Sequence, residues 1–219
     1  MKVLLFGATG MVGQGVLREC LRDPGIELVV TVGRTAIGQR HDKLRELVVP
    51  DVADLSALES QLGPFGACFF CLGVSSAGMS EERYTRLTHD LTLRVAQTLV
   101  VLNPDMTFVY VSGTGTDSTE RGRTMWARVK GRTENALLRL PFRAAYMFRP
   151  GFIQPLHGIR SKTPLYRALY ALTTPIMPIV SRVFPNVVTT TEQVGRAMIA
   201  VARNGFPRPL VEQSDINTL

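Results

Sequence analysis

The junction between the first apolar run and the loop after it constrains this chain more than any other feature. Lys2-Val3-Leu4-Leu5-Phe6 reads as a strand, and Gly7-Ala8-Thr9-Gly10-Met11-Val12-Gly13 follows it without a spacer. A helical pattern then begins. Glycines three apart in that setting let the backbone turn sharply and aim N–H groups from the first turn of a helix. Such a terminus has free donors and the positive end of the helix dipole, so it suits a phosphate. The helix is predicted to bury Val12, Val16, Cys20 and Leu21 and to stop at Asp23-Pro24-Gly25.

The rest of the chain repeats the alternation. Apolar runs at 2–6, 28–32, 46–49, 67–72, 107–111 and 144–148 are the strand candidates, with helical patterns between them. In one of these, 84–102, Leu87, Leu91, Val95, Leu99 and Leu102 recur at three and four. Strands alternating with helices predict an α/β fold, a doubly wound parallel sheet of Rossmann type. At 219 residues the chain is long for one domain and short for two. It reads as one domain over 1–219, with about 151–219 supplying the substrate side.

The stretch 164–185 is apolar and nearly long enough to span a bilayer, but Pro175, Pro178, Arg167 and Arg182 interrupt it. It is predicted to be a lid over the substrate pocket and not a transmembrane segment. A subunit interface and contact with a membrane surface are the other readings.

The formal charge of +7 raises the question of nucleic acid. The excess lies in 150–185, broken by prolines, and on one predicted helix bearing Arg121, Arg123, Arg128, Lys130 and Arg132. Basic residues interleaved with aromatics, as nucleic-acid domains use them, are absent, so a nucleic-acid partner is not expected. Cys68 and Cys71 form a C-x-x-C, but within a strand residues three apart face opposite sides, so the pair reads as buried and reduced. No metal site is expected. The first residues open directly into a strand, which predicts a cytoplasmic protein without a signal peptide, monomeric or a homodimer.

The end of the second strand narrows the phosphate ligand. An Asp or Glu there would accept from the ribose 2′-hydroxyl of NAD. This chain has Gly33-Arg34, followed by Arg40 and Lys43. A guanidinium pairs with a 2′-phosphate and would find no anion there on NAD, so the expected cofactor is NADP(H). Asp51 and Val52 after the third strand sit where such folds wrap an adenine. Leu72 and Gly73 end the fourth strand, where a glycine allows backbone to approach the cofactor.

Together with Val111-Ser112-Gly113-Thr114, Lys130-Gly131 and Arg149-Pro150-Gly151, these residues resemble the atypical short-chain dehydrogenase/reductase superfamily, in particular its small NAD(P)-binding epimerase/dehydratase-like proteins. The resemblance spans nearly the whole chain. It implies cofactor contacts from Gly7, Thr9, Gly10, Met11, Val12, Gly13, Arg34, Asp51, Val52, Leu72, Gly73, Lys130, Arg149, Pro150 and Gly151. It also implies a catalytic set of Ser112, Lys130 and Thr114 acting on a small carbonyl or sugar-derived substrate.

In that superfamily a tyrosine four residues before the lysine gives the proton that a reduced carbonyl needs, and the ammonium lowers the phenol's pKa from about 10. Here Trp126 occupies that position. Indole donates a hydrogen bond but releases no proton. Trp126 either lines the nicotinamide pocket or packs in the core. Thr114, Tyr110, Tyr84 and His157 could replace the missing acid, although Tyr110 reads more as core, Tyr84 as helix surface and His157 as a loop residue. Two functions therefore stay open: an atypical NADP(H)-dependent oxidoreductase, and a non-catalytic NADP(H)-binding redox sensor.

Overall fold

The computed structural model describes residues 1–159 and 188–219. The segment expected to form a lid, 164–185, lies outside the described residues. In chain order the elements are β1 (Lys2–Phe6), α1 (Met11–Arg22), β2 (Leu28–Gly33), β3 (Leu44–Val48), β4 (Ala67–Phe70), α2 (Glu81–Thr85), α3 (Leu91–Leu102) and β5 (Thr107–Val111). Then follow α4 (Met125–Leu138), β6 (Ala144–Arg149), β7 (Phe152–Gln154), β8 (Val188–Thr190), α5 (Thr191–Asn204), β9 (Leu210–Glu212) and α6 (Gln213–Ile216).

Seven strands form one parallel sheet in the order β3-β2-β1-β4-β5-β6-β9, and β7 pairs with β8 separately. The order reverses between β1 and β4. Chain leaving the carboxyl ends of those two strands diverges to opposite faces, which opens a crevice there. Val3, Leu5, Ala67 and Phe69 pack on one face with Val16, Leu17 and Cys20 of α1 and Val194, Ala197 and Met198 of α5. Leu4, Phe6, Cys68 and Phe70 pack on the other with Val95, Ala96 and Leu99 of α3 and Leu137 of α4. Cys68 and Cys71 therefore serve opposite faces, and burial pushes both thiols up.

All six strand candidates exist, within two residues at each end. Residues 188–204 and 210–216 add elements that the apolar runs did not mark. Helix α5 carries its own start signal, a capping box in which Thr190 and Gln193 bond reciprocally. It crosses α1 closely, because a Cβ on Gly15 would lie 2.6 Å from the Thr191 carbonyl oxygen.

One expected stripe is displaced. Between α2 and α3 the helix widens to a π-turn over Arg86–Asp90. The extra residue rotates Leu87 out to solvent and brings Tyr84 and Thr88 inward. Tyr84, expected at the helix surface, is fully buried.

Candidate functional site

The crevice starts at Gly7. Its φ of +82° is one that L side chains rarely adopt, and a Cβ there would stand 2.6 Å from the Cys71 carbonyl carbon. The end of β1 thus lies directly on the backbone leaving β4. Gly10 is the N-cap of α1, and its N–H donates to the Gly7 carbonyl at 2.9 Å. Gly13 brings the helix onto that same carbonyl, so that a Cβ would be 2.1 Å from the oxygen. No side chain caps α1 and no acid lies in its first turn, which leaves the donors of Met11 and Val12 and the dipole unopposed.

A cavity of about 120 Å³ joins this loop to the ends of β2 and β3. Gly7, Thr9, Gly33, Arg34, Val52 and Leu72 all line it. Arg34 is exposed and makes no hydrogen bond or ion pair among the described residues. The one acid on the cavity wall, Glu46, is occupied: its carboxylate takes the Ile37 N–H at 2.5 Å and holds the loop that follows Arg34. Asp51 bonds the Ala53 N–H at 2.9 Å and caps its own turn, and only its neighbour Val52 reaches the cavity. Gly73 borders open space, since nothing lies within 4 Å of a Cβ built there.

The other half of the site gathers at the ends of β5 and β6. Lys130 Nζ donates to the carbonyl of Ser112. Burial pushes Lys130 down to about 8, against a pull upward from Glu134. Thr114 is exposed, its hydroxyl donating to the Arg149 carbonyl at 3.0 Å and its N–H to the Pro150 carbonyl at 2.9 Å. Gly151 donates to the Gln213 side-chain carbonyl. Trp126 is half-buried, with its six-membered ring over Gly115. It borders the loop and is not in the core.

Two expected contacts are redirected. The Ser112 hydroxyl does not face the crevice. It is buried, 2.5 Å from Glu134 Oε1 and 3.1 Å from the Phe148 carbonyl. The Arg149 side chain likewise turns inward, because it completes a buried ion pair. Its Nη2 lies 2.5 Å and its Nε 3.1 Å from the Glu134 carboxylate, and Nη1 lies 3.3 Å from Glu212. Hydrogen bonding to Glu134, with the nearby carboxylates, holds its pKa above the usual value. Only the backbone of Arg149 reaches the site.

Glu134 is the residue that sequence reasoning missed. One turn beyond Lys130 it looks like a solvated i,i+4 partner, yet it is fully buried. Tyr110 is core, as expected, and burial raises its phenol further. His157 is a loop residue at φ +57° whose Nε2 lies 2.7 Å from Glu192.

No protein-family model matches the chain. The protein fmp52, mitochondrial, of Emericella nidulans is 30% identical over 158 residues, which cover 69% of this chain and 66% of that protein. FMP52, mitochondrial, of Saccharomyces cerevisiae is 30% identical over 167 residues, covering 74% of this chain and 69% of that one. The chain belongs to the FMP52 family.

Its fold is that of the short-chain dehydrogenases/reductases and nucleotide-sugar epimerases. A UDP-glucuronic acid 4-epimerase from Bacillus cereus, solved in complex with NAD, superposes with a TM-score of 0.70 at 12% identity, over 97% of this chain and 76% of that one. A short-chain dehydrogenase/reductase from Saccharomyces cerevisiae gives 0.68 at 11%, over 98% and 96%. The family's names correct one expectation. Its members are named mitochondrial proteins, so a strand at the N-terminus is no ground for placing the chain in the cytoplasm. No helix among the described residues is long and apolar enough to cross a membrane.

Proposed function

We propose that the chain is an NADP(H)-binding oxidoreductase of atypical short-chain dehydrogenase/reductase type, acting on a small carbonyl or sugar-derived compound. One observation carries the cofactor: Arg34, a cation without a partner among the described residues, lines the cavity that begins at the glycine loop. The residues present fit the group. Open N–H donors on α1 suit a pyrophosphate, Val52 and Leu72 offer an apolar wall to adenine, and Arg34 meets a 2′-phosphate.

When bound, the nicotinamide supplies hydride. Lys130 would hold its ribose through the ammonium, Thr114 would offer the exposed hydroxyl beyond the end of β5, and Trp126 would wall the substrate side.

NADPH is expected to bind more tightly than NADH by roughly 1.5–3 kcal/mol, about ten- to a hundredfold, the range of a charge-assisted contact. Arg34→Ala removes that margin. Calorimetric titration of both cofactors against both proteins checks it, and equal wild-type affinities would sink the assignment.

The withdrawn Ser112 hydroxyl and the indole at position 126 favour a second reading, a non-catalytic NADP(H) sensor. Loss of general acid catalysis costs about 10²–10⁴-fold, so weak turnover that Trp126→Tyr raises supports the enzyme. No NADPH oxidation by either protein across aldehydes, ketones and quinones, with the cofactor bound, supports the sensor.

A further inference from the structure

Glu134 touches the same residue that Lys130 touches, at its hydroxyl and not at its carbonyl. Lys130 donates to the Ser112 carbonyl, and the Ser112 hydroxyl lies 2.5 Å from Glu134 Oε1. The carboxylate's remaining capacity goes to Arg149. That arginine already has Glu212 at 3.3 Å and the Ser118 hydroxyl at 2.5 Å. A buried ion pair is poor value as a stabiliser, since apolar residues of similar volume do as well. Its placement one turn from Lys130 and on Ser112 asks for another reason.

We propose that Glu134 is a positioning residue for cofactor binding: it pins the Ser112 peptide on which Lys130 rests and keeps Lys130 an ammonium directed at the nicotinamide ribose. The inference rests on the reading above that Lys130 holds that ribose.

The charges around Lys130 are few. Glu134 on its own helix favours the ammonium, and the nearby Arg149 on β6 is paired with Glu134 and with Glu212 on β9. Ser112, just after β5, and Trp126 contribute no charge. Burial alone drives the amine toward neutrality, and the Glu134 carboxylate acts the other way.

The test is the pH dependence of NADPH affinity, read by calorimetry between pH 6 and 10, beside the Lys130 ¹³Cε resonance titrated in cofactor-free protein. Wild-type affinity should fall as Lys130 loses its proton near pH 8. Glu134→Gln should move both midpoints down by about one unit, a tenfold change in the acid constant. Glu134→Asp keeps the charge but draws it back by one methylene, so it should move them in the same direction by less. Should the Gln variant not fold, the Asp variant decides.

A role confined to stability would lower affinity evenly and leave the midpoints in place, and that result overturns the proposal while Lys130 keeps its role. If Lys130→Met binds NADPH with the wild-type pH profile, the ribose reading itself fails and the inference goes with it.

Discussion

At the scale of single residues, the three loop glycines are not interchangeable. Gly7 and Gly13 serve the protein's own packing, one against the backbone after β4 and the other against the Gly7 carbonyl. Gly10 has ordinary extended angles, φ −80° and ψ 163°, and a Cβ there meets only the Gly7 oxygen at 3.3 Å. The fold therefore tolerates a side chain at position 10 that a bound pyrophosphate would not. Gly10→Val should keep its circular dichroism spectrum and lose NADPH binding, whereas Gly13→Ala should lose structure as well. A folded Gly10→Val that binds normally would reduce the loop to a turn. The placement of these glycines and of Arg34 beside the crevice could be read from the sequence because each position depends on its own few neighbours. Ser112, Glu134 and Arg149 could not. They lie 22 and 15 residues apart, and nothing local tells a buried acid from a solvated one.

At the scale of elements, strands with long apolar runs were legible, and short ones at the sheet margin were not. Strand β9 has three residues and owes its existence to pairing with Met147, Phe148 and Arg149. The π-turn at Arg86–Asp90 was equally hidden, because one added residue changes the face without changing composition. Helix α4 holds a sharper case. Gly131 reads as a flaw in a helix, where alanine is ordinarily better by about 1 kcal/mol. In the structure a Cβ on Gly131 would come 1.7 Å from the Asp117 carbonyl oxygen. The loop bearing Asp117 packs directly on the helix there, and Asp117 N–H donates to the Ala127 carbonyl at 3.1 Å. Steric conflict with backbone decides the sign. Gly131→Ala should destabilise the protein by roughly 2–3 kcal/mol, as overpacking does, and shift the loop that Trp126 covers. Urea unfolding measures the first effect. An unchanged or higher midpoint would show that Asp117 moves aside freely.

At the scale of the whole molecule, the two apolar layers stabilise the sheet, and Lys130, Glu134 and Arg149 bring charge into the protein near the carboxyl ends of β5 and β6. Lys130 is the clearest instance. Its amine falls to about 8 in the folded protein, against about 10.4 for an unperturbed lysine, chiefly through desolvation. Between those two values the unfolded chain binds the extra proton, so stability attributable to this residue rises as pH climbs from about 8 to 10.4. Below pH 8 the ammonium is present in both states and is a standing cost to the fold. Lys130→Met should therefore stabilise the cofactor-free protein at pH 7 by roughly 1–3 kcal/mol, discounted for the part of the side chain that reaches solvent. That gain should shrink to near zero by pH 10.5. The same substitution should weaken NADPH binding at pH 7, the expected opposition where a site holds a charge that the fold alone would not. Urea unfolding of both proteins at the two pH values, without cofactor, measures the difference. A stability gap that does not change with pH would mean that Lys130 is solvated, and that the charge at the end of β5 does not belong to the site.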